Sequence, residues 1–199
     1  MKLICTTCCL LILTACFSQK DTTMTLPYKT IPAMPDSYTP GTVVARMIDG
    51  LGFRYYWATE ELNKEDLTYQ PSKDTRTIGA ILDHLHGLSE VIYNAAAKEV
   101  NIRPAASNET LTLQEKRKRT LVNLKKASTI YSEVTNLQEH TTIFSSRGET
   151  TAFPFWNQIN GPIEDAVWHA GQVVILRRAA GNPIPKGVNV FLGTRTNPK

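Results

Sequence analysis

The stretch PIEDAVWHAGQVVILRRAAG, residues 162–181, carries the clearest helix signals in this chain. Pro162 suits the first turn of a helix, and Gly181 suits the position just past its end. Arg177 and Arg178 place positive charge in the last turn, where the helix dipole is negative. Because apolar residues occupy most sides of this segment, the sequence predicts a helix that is buried nearly all round.

Three earlier segments have the three- and four-residue spacing of apolar side chains that is typical of amphipathic helices. The first begins near Thr39 and Pro40, which suit the N-cap and the first helical position. The second covers about 75–98 and the third about 112–137. Four helices of about 20 residues, each with one apolar stripe, predict an all-α four-helix bundle. The predicted stripes are Val44, Ile48, Leu51, Tyr55, Ala58 and Leu62; Ile78, Ile81, Leu85, Leu88 and Ile92; and Leu124, Ala127, Tyr131, Val134 and Leu137.

Two short β-prone runs lie between the third and last helices, at 141–144 and 149–153. The sequence SSRG joins them, which predicts a β-hairpin inserted before the last helix. His140 precedes this hairpin and is expected in an exposed loop. The tail from 184 to 199 is expected to pack across the bundle as irregular structure.

The N-terminus has the pattern of a secretory signal. Lys2 is followed by an apolar run of about 11 residues, which is too short to span a membrane, since a spanning helix needs about 20. The run closes with Leu13-Thr14-Ala15-Cys16. We therefore divide the chain into a signal peptide at 1–15, an anchor and flexible tether at 16–38, and one helical domain at 39–199.

The closing sequence of this signal resembles that of a bacterial lipoprotein, in which cleavage precedes Cys16 and the cysteine is acylated. The resemblance implies export and lipid anchorage in the cell envelope. In a Gram-negative cell it implies the outer rather than the inner membrane, because Phe17 and not an aspartate follows the cysteine. The alternative is an ordinary signal with a chance cysteine. The other cysteines, Cys5, Cys8 and Cys9, lie in the removed segment, which excludes cysteine nucleophiles and cysteine metal sites.

The chain carries a net charge of +4, and basic residues cluster at 116–119 and 125–126. Such a run can bind nucleic acid in an intracellular protein. An exported protein meets no genome, so we expect no nucleic-acid partner. We interpret the run as a solvated helix face, or as a surface that faces anionic lipid headgroups.

Polar residues on one edge of the last helix point to a metal site. Asp165 and His169 are four residues apart, so their side chains meet on one face of the helix. A carboxylate and an imidazole one turn apart are a common beginning of a metal site inside a bundle, but a third ligand must come from a facing helix. His84 and His86 flank the apolar stripe of the second helix on opposite sides. Periodicity does not choose between them, and each could equally be a structural residue at the rim.

Two stretches, TIGAILDH at 77–84 and DAVWHAGQV at 165–173, resemble the second-helix and last-helix signatures of the DinB-like superfamily. The resemblance covers about 40–182 and implies a metal-binding four-helix bundle. Members of that superfamily include thiol-dependent transferases and proteins assigned as metal-dependent hydrolases. The resemblance implies His84 as the second-helix ligand and a pair at 165 and 169. This chain has Asp165 where the family usually has histidine, so the implied ligand set is His84, Asp165 and His169.

Two imidazoles and one carboxylate leave coordination positions open for water or substrate, and such a set suits zinc or ferrous iron, with nickel also open. Gln172, one turn beyond His169, could orient a bound water or a ligand as an outer partner of the site, or could satisfy a buried backbone carbonyl. Trp168 could wall a pocket, although a tryptophan in a bundle first fills the core. Glu164 points about 100° away from Asp165 and is expected to cap the helix.

Two functions remain open on the sequence. The first is an exported, lipid-anchored metal enzyme of hydrolase or transferase type that acts on a small molecule. The second is a non-catalytic envelope lipoprotein that binds a small ligand or a partner protein. DinB-like relatives often form homodimers, and the sequence leaves that property open as well.

Overall fold

The computed structural model describes residues 25–104 and 110–196, which are mostly helical with a small sheet. The predicted signal peptide at 1–15 and the predicted lipidation site Cys16 lie outside these residues. The helices are α1 (Pro40–Thr59), α2 (Lys64–Leu67), α3 (Ile78–Ala97), α4 (Leu113–Ser132), α5 (Phe155–Gln158) and α6 (Glu164–Ala179). The strands are β1 (Val100–Arg103), β2 (Thr142–Ser146), β3 (Glu149–Phe153), β4 (Val188–Asn189) and β5 (Thr194–Arg195).

The four long helices α1, α3, α4 and α6 pack around one core. Both α4 and α6 contact α1 and α3. The predicted stripe of the first helix is buried, since each of its six residues is at most 7% exposed, but Leu62 lies beyond the end of α1 at Thr59. None of the helices in the described parts of the chain combines the length and the apolar content needed to cross a membrane.

Local signals placed the helix starts well. Thr39 caps α1, and its side-chain oxygen accepts a hydrogen bond from the Thr42 amide at 3.1 Å. Thr77 caps α3 in the same way, so α3 begins slightly later than the predicted 75. The third helix ends at Ser132 rather than at 137. It stops early because Asn136 caps a separate 3₁₀ turn, accepting from the Gln138 amide at 3.1 Å.

The expected all-α class is too narrow, because a three-stranded sheet accompanies the helices. β2 and β3 form the predicted antiparallel hairpin. β1, which the sequence did not predict, pairs in parallel with β2. The side-chain amide of Asn101, which is 4% exposed, donates to the Ile143 carbonyl at 2.9 Å and fixes this pairing. The tail also contains a short two-stranded sheet, β4 with β5, where irregular structure was expected.

His140 is buried rather than exposed in a loop, which corrects the prediction. It is 4% exposed, its Nδ1 lies 3.2 Å from the Ala95 carbonyl oxygen, and its ring centroid lies 5.2 Å from that of Tyr131. β1 directly follows α3 in the chain, and β2 pairs with β1. The segment before β2 therefore crosses the end of α3. The burial of His140 follows from that unpredicted strand pairing.

Part of the segment predicted as a flexible tether packs against the domain. Tyr28 is 4% exposed, and its hydroxyl donates to Asp49 Oδ1 at 3.0 Å. The Tyr28 ring covers Gly52 so closely that a Cβ there would lie 2.4 Å from it. The Ile31 amide donates to the Gly193 carbonyl in the tail at 2.9 Å. The packed part of the chain therefore begins before the predicted boundary.

The basic run on α4 is not simply solvated. Lys116 forms an ion pair with Asp83 on α3. Arg117 forms an ion pair with Glu60, next to the end of α1, and its guanidinium lies 4.5 Å from the ring centroid of Tyr56. These cations therefore connect α4 to both of its neighbouring helices.

Candidate metal centre

His84 from α3 and Asp165 and His169 from α6 come together in one cluster. His84 Nε2 lies 2.9 Å from Asp165 Oδ2, and His169 Nε2 lies 3.3 Å from Asp165 Oδ1. The two imidazole rings meet edge to face, with their centroids 4.7 Å apart. All three residues offer ligand atoms within 4.8 Å of one another. The geometry therefore brings together the three residues that the resemblance implies.

A π-helical turn, Ile159–Ile163, leads directly into α6. The backbone leaves helical geometry at Gly161, with φ −89° and ψ −108°. Pro162 follows and has no amide hydrogen to donate to the preceding turn. Such π-turns are frequent at functional sites. No side-chain cap precedes α6, because the helical turns run on through this segment, so the expected capping role of Glu164 is not found.

Gln172 determines which nitrogen of His169 faces the cluster. The Nδ1 atom of His169 lies 2.7 Å from Gln172 Oε1, and an amide oxygen can only accept, so Nδ1 carries the proton. In neutral His169 the Nε2 atom then holds a lone pair towards Asp165 Oδ1. Two lone-pair atoms at 3.3 Å need a cation or a proton between them. The donor set and its tautomer therefore fit a divalent metal.

The cluster is open on one side. The side chains of His84 and Asp165 are 35% and 31% exposed, whereas that of His169 is 13% exposed. Within the described residues the cluster has three side chains that could ligate a metal. Closed structural zinc sites use four protein ligands, while catalytic sites use three and leave a position for water or substrate. The arrangement resembles the second kind.

His86 lies on another side of α3 and contacts α4 instead. Its Nδ1 lies 3.2 Å from Thr120 Oγ1, and its Nε2 lies 3.7 Å from Glu90 Oε1. Burial lowers the pKa of His86, against the Glu90 carboxylate, which raises it. A neutral His86 therefore serves as a packing and hydrogen-bonding residue between two helices. The geometry resolves the choice that periodicity left open in favour of His84.

The last helix is buried on one face only, which corrects the prediction of a helix buried nearly all round. Trp168 is 69% exposed and Ile175 is 65% exposed. Trp168 does not fill the core but stacks beside His169, with ring centroids 6.1 Å apart and planes 16° from parallel. The core face of α6 consists of Ala166, Ala170, Val173 and Arg177. The outer face is therefore free to border the cluster.

A cavity of about 380 Å³ adjoins the cluster and includes His169 and Gln172 in its wall. Arg76, in the loop before α3, lines the same cavity. Sequence reasoning missed Arg76, because a single loop arginine outside any periodic segment carries no signal of its own. Only the packing of α3 against α6 brings it into the cavity that adjoins the cluster.

Comparisons of the chain with protein-family models, with curated proteins and with solved structures find no match. The interpretation of the cluster therefore depends on its own geometry and on the chemistry of its donor atoms. Three observations support it: the separation of the candidate ligand atoms, the tautomer that Gln172 selects for His169, and the open side of the cluster.

Proposed function

We propose that this protein binds one divalent metal ion through His84, Asp165 and His169 and acts on a small molecule as a metal-dependent hydrolase or transferase. The observation that carries the proposal is the convergence of three ligand atoms within 4.8 Å, from two helices distant in sequence. The partial exposure of His84 and Asp165 supports access for a substrate.

Zinc, nickel or ferrous iron suits a set of two imidazoles and one carboxylate. Such a metal would lower the pKa of a bound water to about 7 or polarise a substrate oxygen or thiolate. Gln172 would hold the His169 ring in place through its Nδ1 proton, as outer partners of ligating histidines commonly do. The stacked Trp168 ring would limit the freedom of His169 on its other side.

We assign the helical part of the fold to the DinB-like type of four-helix bundle. The ligand positions support this assignment, since one lies on the second long helix and two lie on the last. This chain differs from the family pattern at position 165, where it has an aspartate instead of a histidine. The aspartate side chain is shorter than that of histidine, so α3 and α6 must approach each other more closely. The 2.9 Å separation of His84 and Asp165 is consistent with such an approach.

We further propose that the protein is exported and anchored by lipid on Cys16, with Phe17 favouring the outer membrane in a Gram-negative cell. The support is the N-terminal sequence alone. In this arrangement the metal centre would face an extracytoplasmic space, and its small-molecule substrate would come from there.

Cys16→Ala should abolish incorporation of a labelled fatty acid and shift the protein out of the membrane fraction, because the acylated sulfur is removed. Cys9→Ala is the matched control, since it removes a cysteine of the signal without changing the acylation position. Labelling and fractionation of cells that express each variant measure both effects. Undiminished labelling of Cys16→Ala would show that the lipoprotein proposal is wrong.

Protein purified without a polyhistidine tag should contain close to one zinc, nickel or iron per chain, measured by plasma mass spectrometry. Asp165→Ala should lose this metal, because two imidazoles alone hold a divalent ion weakly. Asp83→Ala is the matched control, since Asp83 is an exposed carboxylate beside His84 that pairs with Lys116. A metal-free wild type, even after reconstitution, would refute the metal centre and favour a non-catalytic lipoprotein that binds a small ligand or a partner protein.

A further inference from the structure

The cavity beside the metal centre extends along α6 towards the loop before α3. His169 and Gln172 border it near the cluster, and Leu176 lines it further along α6. Leu176 lies about two turns beyond His169, roughly 10 Å along the helix axis at 1.5 Å per residue. His84 on α3 lies beside Asp165 near the start of α6, whereas residues nearer the start of α3 share the cavity with Leu176 near the end of α6. The two helices therefore run antiparallel here, and Arg76 lies at the end of the cavity away from the cluster.

The wall between these two ends is apolar. Ile81 on α3 is 2% exposed and belongs to the buried side of the cavity wall, whereas Ile175 on α6 is 65% exposed and lies at the cavity's solvent-facing edge. No carboxylate of the described residues lines the cavity. The interior therefore suits a hydrocarbon chain rather than a sugar or a peptide backbone.

Arg76 supplies positive charge at the far end. Its side chain has no hydrogen bond or ion pair within residues 25–104 and 110–196, and it is exposed. It directly precedes Thr77, the N-cap of α3, where the helix dipole is also positive. A guanidinium without a protein partner beside an apolar wall favours a carboxylate or a similar anion, which it can bind through two parallel hydrogen bonds.

We propose that the substrate of the metal centre is a small amphiphilic anion. Arg76 binds its anionic group, the apolar wall covers its chain, and its reacting group lies beside His169 at the metal. This inference rests on the proposed function for the role of the metal, but the contribution of Arg76 can be measured separately.

The first experiment compares 6-mercaptohexanoate with 6-mercaptohexan-1-ol on the purified protein loaded with cobalt(II). The thiolate–cobalt absorption band reports the arrival of either probe at the metal. The acid should bind at least about 10-fold more tightly than the alcohol, because only the acid can pair with Arg76. Arg76→Gln should remove this preference without changing the affinity for cobalt. Lys73→Gln, a matched change of an exposed cation in the same loop, should keep the preference.

Equal affinities for the two probes, or an acid preference that survives in Arg76→Gln, would overturn the inference while leaving the metal centre intact. Failure of the protein to bind cobalt would instead refute the proposed function. In that case hexanoate and hexan-1-ol are titrated into the metal-free protein, and the methyl signals of Ile81 and Ile175 are followed by NMR. A saturable response to hexanoate alone, lost in Arg76→Gln, supports the inference. No response, or the same response to both compounds, contradicts it.

Discussion

Replacing Arg177 with methionine should lower the free energy of unfolding by about 3 kcal/mol or more. Arg177 lies on α6, is fully buried, and points into the end of α1. Its Nη1 donates to the carbonyl oxygens of Ala58 at 3.1 Å and Glu60 at 2.8 Å. Its other nitrogens donate to the backbone and side-chain oxygens of Asn182, at 2.7 Å and 2.9 Å.

Two features make these bonds important for stability. The last carbonyls of a helix have no partner within the helix, and here a cation satisfies them where the α1 dipole is negative. Burial lowers the pKa of Arg177, while the nearby Asp66, Glu61 and Glu60 carboxylates raise it. Methionine fills a similar volume but leaves several buried carbonyl oxygens without a donor, and each such loss costs about 1–3 kcal/mol.

The neighbouring residue provides the control. Arg178 is exposed, so Arg178→Met should change the free energy of unfolding by less than about 0.5 kcal/mol. Urea unfolding followed by circular dichroism measures both variants. A loss below about 1 kcal/mol for Arg177→Met would mean that water replaces the guanidinium at little cost, contrary to this argument.

Local sequence signals predicted the four long helices, though not the short helices α2 and α5, because such signals act over a few residues. Thr39 and Pro40 start α1, and the predicted apolar positions within it are buried, because capping and helical periodicity need no information from the rest of the chain. The parallel pairing of β1 with β2 depends on residues about 40 apart, so a four-residue strand after α3 gave no readable signal. The burial of His140 was missed for the same reason.

The basic residues show the same limit. From the sequence, Arg177 is predicted to interact with the negative end of the dipole of its own helix. It instead reaches the C-terminus of α1, more than 100 residues away, as its bond to Ala58 shows. Charge alone predicts that an arginine belongs near a helix end, but only packing decides which helix that is.

For the metal centre, Asp165 and His169 could be paired from their four-residue spacing. The choice of His84 over His86 needed the resemblance or the structure, because both flank the same stripe. Gln172 had two candidate roles in the sequence, and its contact with His169 Nδ1 corresponds to the first of them, an outer partner that orients a ligand. His169 and Gln172 lie three residues apart on α6, so the contact is local to one helix, but it depends on side-chain orientations that no sequence pattern specifies.

His84→Ala should weaken zinc binding by at least about 100-fold, whereas His86→Ala should leave it nearly unchanged. Loss of a direct ligand exceeds the 10- to 100-fold effect that is typical of losing an outer partner of a ligand. His84 Nε2 lies 2.9 Å from the Asp165 carboxylate, while His86 faces Thr120 on α4. The two residues share a helix and a residue type, so they form a matched pair, and competition with a zinc chelator measures the affinity of each variant.

A second measurement separates metal binding from damage to the fold. A ligand that binds only the folded state stabilises it by about 2.7 kcal/mol when its free concentration is 100 times its dissociation constant. Zinc at that level should therefore raise the stability of the wild type and of His86→Ala towards urea, but not that of His84→Ala. His86→Ala should be somewhat less stable than the wild type without zinc, because it loses a half-buried contact between α3 and α4. If zinc instead stabilises His84→Ala and fails to stabilise His86→Ala, the metal lies on the α4 side of α3 and the assignment of its ligands is wrong.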